Sequence, residues 1–514
     1  MSLFLLDTRR TSVWMFKAGC AFAATLAVAG CGSNYRPVVT PINPSGPPQQ
    51  PAGNAIVVSV PSATANGIAT VIDYAGDTVM ATAPVGPAPL TFSLDETGST
   101  GYTVNSDGTL TNFPATQQLQ EKNITYSTLP TTANTVGLFS PSSGLWVADL
   151  TGNVVDVMTG SPETFKLAIP VAATPITVVG SPLPGQHYYS ISLNNSSTPT
   201  GGGITYQDMT CNTAPGSAAQ TGEADSLEAA SFTVSARIPL GKCPVFGIES
   251  SDGRRLFILN RGSDTVTVIN SQNNTLDSCV PFTNQNGQLV TCHPTLPLSL
   301  GAVTATGITP PNGTTGMAAT AGPVDASYNQ ATGQLIVSNY DGGTISVIDV
   351  SLDQYGNDSQ TFGTTYTIKV GNTATPNPAS VTVLPDGSRA YTANQNDGAE
   401  NGTVSIVNLS SHTLVKTLTV VGHPRTVAST ANSLYGKVYA ASPDSPYLTI
   451  VRTDQDIIDT TVLVQGNVLD VRTSTQTGAT GNGVVNSRRP GAGLPCYLPG
   501  AAAEATLSAC QNQF

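Results

Sequence analysis

The stretch SDGRRLFILNRGSDTVTVIN, residues 251–270, decides the fold. A turn at Asp252-Gly253 leads into a β run that ends at Asn260, and after a polar loop a second β run ends at Asn270. Short runs of aliphatic and β-branched residues bounded by turn residues are typical of paired strands. We therefore interpret this stretch as a two-strand unit.

The same unit returns twice further along the chain, as TGQLIVSNYDGGTISVID at 332–349 and DGSRAYTANQNDGAENGTVSIVN at 386–408. The turn glycine and the strand-ending asparagine lie seven positions apart in the first and third copies and six in the second. A loop segment, 397–402, accounts for the greater length of the third copy. Regular spacing of short strands and turns indicates a propeller or a solenoid.

The unit resembles the YVTN-type β-propeller repeat, whose pattern is a Pro-Asp-Gly turn, a Tyr-Val-Thr-Asn strand end and then Thr-Val-Ser-Val-Ile-Asp. The matching residues are Pro385-Asp386-Gly387, Tyr391-Thr392-Ala393-Asn394 and Thr344-Ile345-Ser346-Val347-Ile348-Asp349. The resemblance implies a β-propeller. Because that family covers many roles, it does not imply one function.

Similar β runs before and after these copies predict an all-β chain of seven complete units and one shared unit. The expected fold is a β-propeller closed by both termini, with eight blades by count and seven as the alternative, because the resembled family commonly has seven. In the shared blade we expect Val468 to Thr473 and Val484-Val485 as the first two strands, and Ile68 to Tyr74 and Thr78 to Val85 as the last two. An open array would leave apolar sheet faces in water.

Four segments are predicted along the chain. They are a lipoprotein signal peptide (1–30), a Pro/Gly-rich tether (31–54), the propeller (55–490) and a Cys-containing C-terminal tail (491–514). Two insertions are expected in the propeller, near 210–228 and 275–322, and the unit that contains the first of them is expected to have Ile204 to Met209 as its third strand. The tether lacks the apolar residues that a core needs.

The first thirty residues have the pattern of an export signal. Three basic residues precede an apolar run, Ala18 to Ala29, which is too short to span a bilayer comfortably. The following Val28-Ala29-Gly30-Cys31 resembles the bacterial lipobox, which implies lipid attachment at Cys31. We expect an exported bacterial lipoprotein at the outer membrane or cell surface; the periplasmic side, and an ordinary signal with a chance cysteine, stay open as alternatives.

Charge narrows the range of partners. The formal net charge is −12, and removing residues 1–30, which hold Asp7 and three basic residues, leaves −14. The chain has no run rich in lysine or arginine to meet phosphates, so a nucleic-acid partner is not expected. It also has no Gly-x-Ser-x-Gly, His-Glu-x-x-His or phosphate-loop motif, and we expect no cofactor.

Six cysteines follow Cys31, and an even number in an exported chain indicates disulfides. Several pairings are open. Proximity in the sequence favours Cys279 with Cys292, Cys496 with Cys510, and Cys211 with Cys243. Cys292-His293 is the only adjacent Cys/His pair, and no second pair accompanies it, so no metal site is predicted.

One group of loops is the predicted ligand site. In a propeller, the loop between the second and third strands of a blade lies at the same end as the connection to the next blade. This shared end brings six candidate ligand-binding residues around the channel: Arg261, Asp264, Tyr340, Asp341, His423 and Arg425. Arginines offer planar donors and a tyrosine offers a stacking surface. A solvated loop rim is the alternative for each residue, and no catalytic residue is assigned.

Two functions follow from this pattern. The first is a membrane-anchored binding or scaffolding module for a glycan or protein partner. The alternative is a lactonase-like hydrolase with its site in the channel, since some propellers that this chain resembles are of that kind. Only four histidines are present and 10% of the residues are charged, which counts against an enzyme. The strand-ending Asn260, Asn339 and Asn394 are interpreted as structural.

Overall fold

A computed structural model describes residues 53–62, 65–95, 97–130, 135–140, 144–180, 188–194, 221–284, 287–298, 321–430 and 436–474. The chain divides into two units, Met1–Pro48 and Gln49–Phe514. The first unit lies outside the described residues, as do the predicted tail and the lipid-attachment residue Cys31. Apart from a single 3-10 turn at Glu121–Asn123, the regular structure of the described residues is all β.

Eight antiparallel sheets form the blades of a propeller, as the repeat count predicts. Blades 1 to 4 contain β1 (Asn54–Val60), β2 (Asn66–Asp73), β3 (Val79–Pro87); β4 (Pro89–Leu94), β5 (Thr100–Asn105), β6 (Thr109–Pro114), β7 (Thr125–Thr128); β8 (Thr135–Phe139), β9 (Leu145–Asp149), β10 (Val154–Thr159), β11 (Thr164–Pro170); β12 (Pro175–Gly180), β13 (Tyr188–Ser192), β14 (Thr221–Glu228) and β15 (Thr233–Lys242).

The remaining strands make up blades 5 to 8 and close blade 1. They are β16 (Pro244–Glu249), β17 (Arg255–Asn260), β18 (Thr265–Asn270), β19 (Thr275–Leu276), β20 (Phe282–Thr283), β21 (Leu289–Val290), β22 (Thr295–Pro297); β23 (Pro323–Asn329), β24 (Gln334–Asn339), β25 (Thr344–Asp349), β26 (Thr365–Lys369); β27 (Pro378–Val383), β28 (Arg389–Asn394), β29 (Thr403–Asn408), β30 (Thr413–Thr419); β31 (Thr426–Ser429), β32 (Lys437–Ala441), β33 (Tyr447–Arg452), β34 (Ile457–Leu463); and β35 (Asn467–Thr473).

Both ends of the described chain share blade 1, whose strand order is β3-β2-β1-β35. Each inner strand contacts the inner strand of the next blade around the whole ring, and β35 contacts both β31 and β4. The prediction of closure by both termini is therefore confirmed. The predicted division of this blade is wrong, because its second strand is β1 and not Val484-Val485, which lies outside the described residues.

The packing of β1 explains why this strand escaped notice. Ala55 and Val57 pack in a cluster with Tyr439 of blade 8, whereas Ile56 packs on the other side with Phe92 of blade 2. A strand buried on both faces has a continuous apolar sequence and no alternation. AIVVSV therefore lacks the alternating pattern of a half-exposed strand, and it directly follows the Pro/Gly-rich tether.

A second correction concerns blade 4. Its third strand is β14, which pairs with β13 and β15, so Ile204 to Met209 does not take that place. Residues 210–228 had been predicted to be an insertion, but their last part belongs to the sheet. The sequence TGEADSLE is too polar to suggest a strand, yet Asp225 and Ser226 are buried in it. Ile204 to Met209 lies outside the described residues.

In blade 5, part of the predicted insertion 275–322 forms the outer strand. β19 pairs with the end of β18, and β22 pairs with its beginning. Between these two halves the chain leaves the blade and forms the separate two-stranded sheet β20-β21. The interrupted strand could not be recognised from periodicity, because each half has only two or three residues.

The strand-ending asparagines have the structural role that the sequence predicts. The Nδ2 atom of Asn394 donates to Thr403 Oγ1 at 3.0 Å and to Ser405 Oγ at 2.8 Å. Asn260, Asn339 and Asn105 make the same pair of bonds to Thr or Ser hydroxyls on the following strand. Each amide thus joins the second and third strands of its blade, which explains the spacing in the repeat.

A second recurring contact joins adjacent blades, at the end opposite the strand-ending asparagines. The first residue of the second strand is basic in blades 5, 7 and 8, and it forms an ion pair with an aspartate between the third and fourth strands of the next blade. The pairs are Arg255 with Asp358, Arg389 with Asp456, and Lys437 with Asp77. We call these three pairs the inter-blade locks.

The disulfide Cys279–Cys292 is present, with its Cα atoms 5.5 Å apart, and confirms one predicted pairing. Cys243 is also disulfide-bonded. Its predicted partner Cys211, and the predicted pair Cys496 and Cys510, lie outside the described residues. In the described part of the chain, no helix has the length and apolarity needed to cross a membrane.

Candidate functional site

The antiparallel order of each blade brings two kinds of loop to one end of the ring. The loop between the second and third strands and the connection to the next blade meet there, and we call this end the mouth. Within the ring, every residue of the inner strands β12, β16 and β27 is buried. Along these three strands the axis therefore offers a ligand no exposed side chain.

At the mouth, Arg261 of blade 5 forms an ion pair with Asp341 of blade 6. The Nη2 atom of Arg261 lies 2.9 Å from both carboxylate oxygens of Asp341, and its Nε donates to Oδ2 at 3.3 Å. Both residues are buried. The pair joins two loops that the sequence had placed at the same end, and each partner neutralises the charge of the other.

Tyr340 lies at the centre of a network of side-chain amides. Its hydroxyl donates to Gln395 Oε1 at 3.2 Å, and its carbonyl accepts from Asn377 Nδ2 at 2.9 Å. Asn396 Nδ2 donates to Asn377 Oδ1 at 3.1 Å and lies 3.5 Å from the Tyr340 hydroxyl. Burial raises the pKa of Tyr340, so its hydroxyl keeps its proton. We call Tyr340, Asn377, Gln395 and Asn396 the amide cluster.

Asp264 connects this region to the chain that enters blade 6. Its Oδ1 accepts the Gly322 backbone N–H at 2.9 Å, and its carbonyl accepts the Leu298 N–H, also at 2.9 Å. Burial raises the pKa of Asp264, although its bonds from backbone amides oppose the shift. A glycine at position 322 also allows the backbone to pass close to Asp341, because a Cβ atom there would lie 2.0 Å from Asp341 Oδ2.

His423 and Arg425 occupy the connection between blades 7 and 8. The Nδ1 atom of His423 contacts Asp444 Oδ2, while its backbone N–H donates to Asp444 Oδ1 at 2.8 Å. The side-chain bond to Asp444 and the charge of that residue, together with a bond to the Gly398 carbonyl, raise the pKa of His423. The positive charge of Arg425 opposes the rise that burial causes in the pKa of Tyr340.

The structure brings together Arg261, Asp264, Tyr340 and Asp341. It does not give Tyr340 the expected open stacking surface, because only 1% of this residue is exposed. Arg261 and Arg425 are also buried, at 4% and 3% exposure. His423 fastens two loops together. The loop 395–402 contributes to the burial of Tyr340, because Gln395 and Asn396 contact its hydroxyl.

Sequence analysis missed Asn377, Gln395 and Asn396. A signal for two of them was available, because the long loop of the third repeat copy begins directly after Asn394, at Gln395. Asn377 directly precedes β27, in the left-handed conformation that Ala88, Thr174 and Cys243 adopt before their own inner strands, and nothing in the sequence linked its side chain to Tyr340. The half-buried Asn396 is the member of the amide cluster most open to solvent.

The chemistry available at the mouth is hydrogen bonding. Primary amides both donate and accept, and the charged residues beside them are paired. The described residues contain no group of three or more His, Cys, Asp or Glu placed to hold a metal ion. The arrangement is therefore suited to a neutral ligand with several hydroxyl or amide groups.

Comparison with known proteins supports the fold. No protein-family model matches the sequence. No curated protein matches it either. Similar solved structures include AztD from Citrobacter koseri, with 11% identity, a TM-score of 0.51, and coverage of 82% of this chain and 97% of that chain. The dihydro-heme d1 dehydrogenase NirN in complex with DHE has 14% identity, a TM-score of 0.53, and coverage of 86% and 78%. At such identities the likeness shows the propeller fold alone.

Proposed function

We propose that the protein is a binding module whose mouth holds a neutral glycan. The observation that supports this proposal is the amide cluster, in which Asn377 and Asn396 are fixed by hydrogen bonds between blades 6 and 7. Side-chain amides pair with sugar hydroxyls as both donors and acceptors. Because the loops sit on a closed ring, binding would order little additional chain.

Charge favours a neutral ligand over an anionic one. The net charge is −12 for the whole sequence, and Arg261 is already neutralised by Asp341. A strongly anionic ligand would meet repulsion at long range, although salt would screen it. The alternative ligand is a protein partner that places polar side chains on the mouth. The binding experiments described below distinguish it from a glycan.

The hydrolase alternative has one candidate group at the mouth. Burial raises the pKa of Asp264, a change that suits a general acid or base. However, both its side chain and its carbonyl accept backbone N–H groups, which indicates a structural role. We therefore propose binding ahead of catalysis.

We propose further that the protein is exported and attached to a membrane through lipid on Cys31. The lipobox-like sequence at 28–31 supports this, and so does the disulfide Cys279–Cys292, because disulfides persist in oxidising compartments. Cys31→Ser should move the protein from the membrane fraction to the soluble fraction. An unchanged distribution, with no lipid mass on the N-terminal peptide, would contradict this proposal.

A glycan array with the propeller, followed by titration of the strongest glycan, tests the binding proposal. Asn396→Ala should weaken binding by about tenfold, the effect of one lost hydrogen bond. The matched control is Asn273→Ala, which removes an exposed amide at the opposite end and should bind like the unchanged protein. Equal affinity in both variants, or no glycan bound by the intact protein, would contradict the proposal.

Two further arms separate the alternatives. Hydrolysis of a lactone or ester panel that is abolished by Asp264→Asn would favour the hydrolase. A pull-down that captures one protein through the intact mouth, and loses it with Asn396→Ala, would replace the glycan by a protein partner.

A further inference from the structure

The outer strand of blade 5 is interrupted, and the interruption is closed by a disulfide. After β19 the chain leaves the sheet at Asp277 and returns at Pro294, directly before β22. The bond Cys279–Cys292 joins the two ends of this excursion. Cys279 is exposed and Cys292 is half-buried, so a reductant in solution can reach the bond.

The residues on either side of the disulfide hold the same buried ion pair. Arg255 Nη2 lies 3.2 Å from Asp358 Oδ1 and 3.2 Å from Asp277 Oδ1. On the other side of the disulfide, His293 Nδ1 lies 2.8 Å from Asp358 Oδ2. Since Arg255, Asp277 and Asp358 are all buried, the excursion is fastened to blades 5 and 6 at both of its ends.

From His293 the chain runs directly to the mouth. The Val268 N–H donates to the Pro294 carbonyl at 3.0 Å, and β22 then pairs with β18. At the end of this strand, the Leu298 N–H donates to the carbonyl of Asp264 at 2.9 Å. A segment of six residues, 293–298, thus connects the disulfide at one end of the blade to a mouth residue at the other.

We propose that Cys279–Cys292 is a redox-sensitive latch that holds β22, and through it Asp264, in place. A small dithiol would reduce the bond by thiol–disulfide exchange. The S–S bond accepts two electrons and two protons and becomes two thiols, while the dithiol becomes a cyclic disulfide. Once the bond is broken, the excursion is an open loop, and the halves of the outer strand lose the constraint that keeps them in register.

The latch does not depend on what the mouth binds. The direct consequence of reducing the disulfide is the opening of two backbone hydrogen bonds, from Val268 to Pro294 and from Leu298 to Asp264. Its consequence for affinity rests on the proposed function, since a displaced Asp264 would disturb the mouth beside Arg261 and Asp341. The test therefore measures the hydrogen bonds themselves, without ligand.

Amide hydrogen exchange on the complete chain tests the latch. The double variant Cys279→Ser/Cys292→Ser removes this disulfide and leaves the other cysteines as they are. We expect the Val268 and Leu298 amides to exchange about tenfold faster or more in the variant, as local opening becomes easier. The inner strand β27 of blade 7 serves as the internal control and should keep its exchange rate.

The same measurement on the unaltered chain, treated with dithiothreitol only until Cys279 and Cys292 are reduced, should give the same rise; the limit is needed because Cys243 is also disulfide-bonded. Alkylation and mass analysis confirm that the two thiols have formed. Unchanged exchange at both amides in the double variant would overturn the proposal. An equal rise at β27 would overturn it as well, because the disulfide would then stabilise the whole ring and not one strand.

Discussion

The two ends of the propeller use polar residues in different ways. At the end away from the mouth, the same inter-blade lock recurs in three blades, through Arg255, Arg389 and Lys437. At the mouth, the amide cluster joins blades 6 and 7, and no other pair of blades has such a cluster among the described residues. A contact that recurs at equivalent positions holds the ring together. The amide cluster has no counterpart in the other described blades, and under the proposed function its half-buried edge at Asn396 contacts the ligand.

The largest effect is expected where a lock closes the ring. Lys437 donates to the Tyr74 carbonyl at 2.7 Å and pairs with Asp77, so it joins blade 8 to blade 1. Lys437→Met would leave the carboxylate of Asp77 without its cation, and should lower the free energy of unfolding by roughly 3–5 kcal/mol. Urea denaturation measures this change.

A second substitution, at Asp77, tests whether the loss of stability comes from its unpaired carboxylate. Asp77 has a φ of 51°, in the left-handed region that asparagine tolerates well. Asp77→Asn combined with Lys437→Met should therefore recover much of the loss. A loss below about 1 kcal/mol for Lys437→Met alone would show that this lock does not hold the ring.

A large pH-dependent effect is expected at Glu249, a buried carboxyl near the same end of blade 5. Neither of its oxygens makes a hydrogen bond of normal geometry among the described residues, and burial raises its pKa from 4.5 to about 8. The folded protein keeps this proton at pH values where the unfolded chain has lost it. Stability should therefore fall between pH 4.5 and 8, by an amount on the order of 4 kcal/mol.

Glu249→Gln should remove that decline. The free energy of unfolding, measured by denaturant titration at pH 5 and pH 8, should change less in the variant than in the unaltered protein. Glu121→Gln, on the exposed 3-10 turn, is the matched control and should leave the decline unchanged. Parallel pH dependence in the Glu249 variant and the unaltered protein would contradict the prediction.

Asn394 makes a contact that recurs in other blades, whereas Asn396, two positions later, makes one that does not. Asn394→Ala would leave the buried hydroxyls of Thr403 and Ser405 without their amide, and should cost about 1–3 kcal/mol of stability. Asn396→Ala, at the half-buried edge of the mouth, should cost less than about 1 kcal/mol. Thermal denaturation compares the two. Equal losses would remove the distinction between them.

The smallest effect is expected for His423 and Asp444. Hydrogen bonding to Asp444 raises the pKa of His423 above 6.5, so its contribution is complete below pH 6.5 and is lost as pH rises through the folded-state pKa. The pKa of Asp444 lies below 3.8, so its contribution is present above pH 3.8 and is lost as pH falls through the folded-state pKa. Because the pair is partly exposed, His423→Gln should cost below about 1 kcal/mol, and only between these limits.

A double-mutant cycle with Asp444→Asn checks this assignment. The two single variants should lose the same stability at pH 5.5, and the double variant should lose no more. Additive losses would show that the two residues act independently.

The repeat made most of the fold predictable, and the departures from the repeat are the parts that were missed. The three clear copies contain the asparagines that join strands, and the count of similar β runs before and after them predicted eight blades and closure. β1 was hidden by burial on both faces, and β14 by polar residues such as Asp225. The meeting of the mouth loops at one end was predictable, because strand order alone brings them there.

The exposure of each side chain at the mouth depends on the path of the loops around it. The repeat pattern in the sequence does not determine that path. Tyr340 was expected to be exposed and is buried under Asn377 and Asn396. The locks were hidden for a related reason. Arg255 and Asp358 lie 103 residues apart, and only the ring brings them together.

Repeated contacts such as the inter-blade locks hold the ring together, and the amide cluster at the mouth is proposed to bind the ligand. Calorimetric titration of the strongest glycan into Asn396→Ala and Arg389→Met, with the melting temperature of each, tests this most directly. We predict that Asn396→Ala loses affinity by about tenfold and keeps its melting temperature, while Arg389→Met keeps its affinity and melts at a lower temperature. The reverse pattern, with affinity lost in Arg389→Met and kept in Asn396→Ala, would contradict the claim.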